Sequence, residues 1–218
     1  GLAQGDWIVV AGGARSAAAL ALSGYTLLYH FGGIYVWARV RGSSSPGNPT
    51  ITVSGGVANE TISGNIIGLR NMPITMSLDQ YVIKATGQTN TSAQNIAYPG
   101  RRPAVIYPGC VQLLIARKSD DDTGIAPPSG FTEAFDVTTT TGDDQSLWMA
   151  YRADTTPATV DPGSLVVTGG AAAVSDAVLL TLAGGYQTMT VTRSANDVEK
   201  AHSAGTLLAV EHPLIQAL

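Results

Sequence analysis

The stretch that decides the fold is Tyr25–Val40, which reads YTLLYHFGGIYVWARV. Two short apolar runs flank the pair Gly32-Gly33, and runs of this kind are typical of β-strands. A two-residue turn between antiparallel strands needs a positive φ angle, which glycine adopts at little cost. The stretch therefore predicts a β-hairpin with the two glycines at its tip.

Similar runs recur along the whole chain, and each is bounded by Gly, Pro, Ser or Asp. Helical periodicity is almost absent, apart from a short segment at Asn196–Ala204 in which Asn196 can cap a helix and Gly205 can end it. Many short strands with frequent turns predict an all-β fold, a β-sandwich or jelly-roll-like body. Further predicted strands are Trp7–Ala11, Thr50–Val53, Asn65–Leu69, Val111–Ala116, Phe131–Val137, Leu147–Tyr151, Leu165–Thr168 and Ala177–Leu182.

The two halves of the chain resemble each other. Four pairs of segments match in order, with an offset that grows slowly along the chain, so that the differences fall in loops. The pairs are Gly5–Ala11 with Gly109–Ile115, Ser23–Thr26 with Ser129–Thr132, Trp37–Arg39 with Ala150–Arg152, and Thr52–Gly56 with Val166–Gly170. This predicts one double-half β-sandwich over residues 1–185, built from half-repeats at about 5–70 and 109–183.

Two segments fall outside the repeat. A polar arm at residues 85–103 is rich in Thr, Asn, Gln and Ser and ends in Pro-Gly-Arg-Arg-Pro. We predict that it is a surface crossover between the halves or an extended binding loop. Residues 186–218 are predicted to form a small C-terminal unit of strand, short helix and strand.

Composition excludes several functional classes. Charged residues make up only 13% of the 218 residues, and the formal net charge is −4. A phosphate backbone requires a basic surface, so we expect no nucleic-acid partner. The apolar runs are far shorter than the roughly 18 residues of a membrane span, so we expect no membrane insertion. The single cysteine, Cys110, excludes an internal disulfide.

Catalytic and metal-binding patterns are weak in this sequence. The three histidines, at positions 30, 202 and 212, lack the converging spacing of a metal site, and no Gly-x-Ser-x-Gly elbow is present. Ser23-Gly24 and Ser129-Gly130 occupy equivalent places, which indicates turn geometry rather than a nucleophile. We expect no catalytic residues, no metal and no cofactor. Asp120–Asp122 is the densest acidic cluster, and two interpretations remain open: a solvated loop tip or a surface cation site.

The polar arm supplies the candidate partner-binding residues. Tyr98 and Tyr107 flank a proline-rich stretch, and aromatic side chains exposed on loops are a common means of gripping a sugar or a protein. Arg101 and Arg102 have the forked geometry that suits acidic partner groups. These four residues are the predicted contacts.

The pattern of motifs that recurs in the two halves resembles that of a double-half β-sandwich found in tailed-bacteriophage virion proteins. The C-terminal stretch is more specific: Thr190–Asn196, then Lys200–Gly205, then a strand, is similar to an element near the ends of minor tail proteins of actinobacterial phages. One departure is Asp197, where that family commonly has Gly. The resemblance implies a virion structural role, with Arg193, Asn196, His202 and Gly205 as residues of the structural motif.

These observations lead to the expectation of a minor tail protein, located in the virion, that acts by protein–protein assembly. Its expected partners are other virion proteins and copies of itself in a homo-oligomer, with a host cell-surface glycan as a further candidate. A capsid decoration protein is the alternative in the same class. A carbohydrate-binding module and a glycan-cleaving enzyme are the alternatives from other classes.

Overall fold

The computed structural model describes residues 2–15, 18–44, 47–56, 60–74, 77–100, 109–140, 143–153, 160–169 and 171–184. Within these ranges the chain is almost entirely β, as predicted, and the helical element is one short 3₁₀ helix, Leu78–Tyr81. The strands are β1 Trp7–Ala14, β2 Ala19–Leu22, β3 Thr26–Phe31, β4 Ile34–Val40, β5 Ile51–Ser54, β6 Ile62–Leu69, β7 Val82–Ala93, β8 Ile96–Ala97, β9 Val111–Lys118, β10 Thr123–Ala126, β11 Thr132–Thr139, β12 Gln145–Ala153, β13 Ser164–Thr168 and β14 Ala173–Leu182. The predicted helix at Asn196–Ala204 and the whole predicted unit 186–218 lie outside the described residues.

The hairpin predicted from Tyr25–Val40 is confirmed. Strands β3 and β4 pair antiparallel, and the turn between them consists of Gly32 and Gly33. Gly32 has a φ of +55°. A Cβ atom at Gly32 would collide with the carboxylate of Asp176, and one at Gly33 would collide with the carbonyl oxygen of Ala14. Glycine is therefore required at Gly32 for its φ angle and for the lack of space, and at Gly33 for the lack of space.

The strands form four sheets, two large and two small. The first half contributes a large sheet of order β3-β4-β1-β6 and a small sheet β2-β5. The second half contributes a large sheet of order β11-β12-β9-β14-β7 and a small sheet β10-β13-β8. If β1–β6 are matched with β9–β14 in chain order, the two halves have the same strand order. The one difference is the pair β7 and β8, which extends the sheets of the second half.

Strand register agrees with the internal repeat seen in the sequence. Ile8 pairs with Arg39 in the first half, and the equivalent Gln112 pairs with Arg152 in the second. The edge strands of both large sheets also carry a register shift at equivalent positions, after Leu27 in β3 and after Glu133 in β11. The repeat is therefore structural and extends to single residues.

In the described part of the chain, three hydrophobic cores lie between the four sheets. The central core joins the two large sheets, and Val9, Val36, Leu113 and Met149 in it are at most 1% exposed. An outer core in the first half lies between the large sheet and β2-β5, around Trp37. The matching outer core of the second half contains Trp148, Leu165, Ile96 and Tyr98 among others. Each half is thus a small sandwich, and the two sandwiches share the central core, so that residues 1–187 form one compact unit.

Contacts between the halves are reciprocal. Strands β3 and β4 contact β14, and the equivalent β11 and β12 contact β6. In the same way β1 contacts β12 and β4 contacts β9. Such exchange of equivalent surfaces is the property of an isologous, two-fold interface. The chain therefore packs its halves as a pseudo-two-fold pair.

The polar arm at 85–103 begins as a strand, so the prediction of an extended loop was wrong for residues 85–93. Residues Val82–Ala93 form the twelve-residue strand β7, which pairs with β14, and β8 pairs with β13. Strand β7 lies at the edge of its sheet, and one side of an edge strand faces the solvent. Its polar side chains therefore give it a composition that resembles that of a loop. Residues 101–108 lie outside the described residues.

Candidate partner-binding site

Tyr98 is buried rather than exposed, so the expectation that it grips a partner was wrong. Its side chain is 5% exposed and lies in the outer core of the second half with Ile96 and Cys110. Side chains two residues apart on an extended segment share a face, and the pairing of β8 with β13 turns that face inward. Burial raises the pKa of the Tyr98 hydroxyl.

The other predicted site residues lie outside the described residues. In the polar arm these are Arg101, Arg102 and Tyr107, and in the C-terminal motif they are Arg193, Asn196, His202 and Gly205.

Polar side chains of β7 and of the following turn form hydrogen bonds with other groups of the same chain. Thr89 Oγ1 donates to Asp176 Oδ1 at 2.8 Å, and Asn90 Nδ2 donates to the carbonyl oxygen of Ala97 at 3.2 Å. Gln94 Nε2 donates to the carbonyl oxygen of Gly169 at 2.9 Å. The bonds of Thr89 and Gln94 attach the arm to the second half, and all three leave fewer of its polar groups for a partner.

The acidic cluster Asp120–Asp122 divides into a buried and a less buried part. Asp122 is fully buried and forms an ion pair with the equally buried Lys118, four residues earlier. Lys118 Nζ also donates to the carbonyl oxygen of Gln94 at 3.2 Å. The solvated-tip interpretation is therefore wrong for Asp122, because its charge compensates a lysine in the interior.

The remaining acids of this region lie close together near the surface. The carboxylate oxygens of Asp120, Asp121 and Asp144 are within 4.8 Å of one another. Partial burial alone would raise the pKa of Asp120, but hydrogen bonds from the backbone N–H groups of Ala171 and Asp121 outweigh it, so the pKa is lowered. Such surface groupings are common without an ion, and nothing else among the described residues points to a ligand there.

A second buried ion pair connects the two halves. Arg117 Nη2 lies 3.0 Å from Asp176 Oδ2, and both side chains are nearly inaccessible. Gly33 N donates to the same carboxylate oxygen at 2.9 Å, while Arg117 Nη1 donates to the carbonyl oxygen of Arg15 at 3.0 Å. The hairpin tip and the end of β1 in the first half are thus bound to the ion pair of the second half.

Gln145 makes a further polar connection between the halves. It is fully buried, and its Nε2 donates to the carbonyl oxygen of Gly13 at 2.9 Å and to Ser63 Oγ at 2.8 Å. Sequence reasoning missed Gln145, Arg117 and Asp176. The available signal was a charged or amide residue within or beside an apolar strand.

An arginine lies over an aromatic ring at the same place in each half. Arg39 Cζ is 5.3 Å from the ring centre of Tyr25, and Arg152 Cζ is 5.1 Å from that of Phe131. The glycines that precede the two aromatic residues have φ angles of +75° and +82°. The repeated Ser-Gly-aromatic-Thr motif therefore forms a turn that holds a cation–π pair, which confirms the turn interpretation of its serines.

The tryptophans are used in packing, whereas Tyr151 is 38% exposed. The three tryptophans, Trp7, Trp37 and Trp148, are at most 3% exposed. His30 stacks on Tyr35 with ring centres 4.0 Å apart. In the described part of the chain, no tryptophan forms an exposed platform of the kind that binds sugar rings.

No helix in the described part of the chain is long and apolar enough to cross a membrane. No protein-family model, curated protein or solved structure matches the chain significantly.

Proposed function

We propose that this chain is a structural protein of a tailed-phage virion, a minor tail protein that acts by protein–protein assembly. The observation that carries the proposal is the way the chain uses its buried polar groups. Both buried ion pairs, Arg117–Asp176 and Lys118–Asp122, together with Gln145, fix strands and halves to one another. Buried polar groups that connect strands and halves in this way support the role of a rigid scaffold.

The surface chemistry supports assembly rather than sugar binding or catalysis. The three tryptophans lie in the cores. The close carboxylates, Asp120, Asp121 and Asp144, are grouped on loops at the ends of strands. The assignment to a tail rests on the resemblance of the C-terminal motif around His202 to minor tail proteins.

The proposal is tested on phage particles that encode the chain. Particles are banded on a density gradient and digested, and peptides of this chain are quantified by mass spectrometry against a known capsid protein. We expect a constant ratio to the capsid protein across the gradient peak. A chain that stays in the lysate and is absent from banded particles would overturn the proposal.

Gold-labelled antibody against the recombinant chain then distinguishes tail from capsid. We expect label on the tail, abolished by an excess of the recombinant chain as control. Label confined to the head would replace the tail assignment with a capsid decoration protein.

A further inference from the structure

Comparison of the two halves reveals one strand edge that is open in the first half and covered in the second. The outer edge of β14 pairs with β7 over almost its whole length. The equivalent strand of the first half is β6, which pairs with β1 along residues 62–69. Within the described residues no strand pairs with the other edge of β6.

The backbone of β6 directs hydrogen-bonding groups outward along this edge. Ala14 N donates to the carbonyl oxygen of Gly33, so even-numbered residues of β1 face β4 and odd-numbered ones face β6. The register then directs the N–H and C=O groups of Ile62, Gly64, Ile66 and Gly68 away from β1. In agreement, Ile66 N donates to the side chain of its neighbour Asn65 at 2.7 Å rather than to β1.

Three of the four edges of the large sheets carry features that block pairing, and β6 does not. Strands β3 and β11 contain register shifts, and β11 also carries Glu133 and Asp136. Strand β7 has a register shift near each end. Strand β6 pairs with β1 without a shift and has no charged residue and no proline. An edge of this kind is a template for an added strand.

A groove of about 360 Å³ lies beside this edge. Its lining includes Val10 on β1 and Ile51 on β5. Register matches these two residues to Leu114 and Leu165, which pack in the outer core of the second half with Ile96 and Tyr98. In the second half, therefore, β7 pairs with the outer edge of β14. The segment that follows then places Ile96 and Tyr98 in the space that corresponds to the groove.

We propose that the outer edge of β6 and the adjacent groove form an acceptor site for an extended strand of a partner chain. The occupant has the chemistry of residues 82–98: an uncharged or weakly charged strand rich in Thr, Asn and Gln, followed by an apolar and an aromatic anchor. Main-chain hydrogen bonds to β6 provide binding energy, and the groove selects the anchors. The site is independent of whether the chain belongs to a virion.

The test uses the full chain and a fluorescent peptide of residues 80–98, with fluorescence anisotropy as the readout. We expect saturable binding that a scrambled peptide does not show. Ile66→Lys introduces a charge at the edge and should weaken binding by about tenfold or more. The matched control is Leu27→Lys on the opposite edge strand, since Leu27 is 46% exposed and Ile66 is 45% exposed. The control should bind as the wild type does.

Hydrogen exchange of the wild-type chain with and without peptide tests the site without any variant. We expect slower exchange in β6 and unchanged exchange in β3. Protection confined to β14 would mean that the peptide replaces β7, and it would overturn the proposal. Absence of saturable binding, or equal binding by Ile66→Lys, would also overturn it. So would a wild-type dimer that Ile66→Lys dissociates in light scattering, because the occupant would then be a second copy.

Discussion

Replacement of Asp176 by Asn should destabilise the protein strongly. The carboxylate accepts hydrogen bonds from Gly33 N at 2.9 Å and Thr89 Oγ1 at 2.8 Å, and it pairs with Arg117 at 3.0 Å. Asparagine keeps the shape but leaves the buried guanidinium uncompensated. Breaking one partner of a buried pair costs about 3–5 kcal/mol. At about 2–4 °C per kcal/mol for a chain of this size, the melting temperature should fall by roughly 6–20 °C.

The measurement is urea unfolding followed by tryptophan fluorescence, with calorimetry for the melting temperature. The matched control is Glu133→Gln, an exposed carboxylate on β11, for which we expect a change within about 0.5 kcal/mol. A double variant, Arg117→Met with Asp176→Leu, removes both charges and should recover part of the lost stability, because no buried charge is left uncompensated but Gly33 N loses its acceptor. If Asp176→Asn unfolds at the same urea concentration as Glu133→Gln, the ion pair does not hold the halves together and the reasoning fails.

Three further predictions concern the same framework. Gly33→Ala should cost about 2–3 kcal/mol because the hairpin tip has no space for a Cβ atom, whereas Gly42→Ala, with open space around it, should be nearly neutral in the same urea assay. Lys118→Met should cost about 3–5 kcal/mol in free energy of unfolding, because it leaves the buried carboxyl group of Asp122 without its cation; unchanged stability would contradict the buried pair. The pKa of Asp120 is lower in the folded state than in the unfolded state. Its carboxylate therefore adds to the free energy of unfolding above the unfolded-state pKa, and this contribution is lost as the pH falls through the folded-state pKa. Asp120→Asn should therefore flatten the acid side of a stability–pH curve, and an unchanged slope would refute this.

The local and repeated features of the fold could be predicted from the sequence. The Gly32-Gly33 hairpin follows from the φ angle that a two-residue turn needs, and that requirement is local. The two halves can be recognised in the sequence because residues at equivalent positions, such as Arg39 and Arg152, have the same structural role. Matching residues therefore recur in the same order.

The parts that depend on distant contacts could not be predicted. The sequence predicts a loop where strand β7 lies, because the partner that provides its backbone hydrogen bonds, β14, lies far along the chain. Tyr98 was expected to be exposed for the same reason. The pairing of Arg117 with Asp176 requires the register of β9 against β14, and no spacing in the sequence encodes it.

The most direct test of the central claim, that this chain is an assembled part of a tailed-phage virion, is an electron cryomicroscopy reconstruction of the whole particle. We expect density for the four-sheet double sandwich on the tail, with an extended strand of a neighbouring chain along the outer edge of β6. A complete reconstruction of head and tail in which the double sandwich fits no density would contradict the claim.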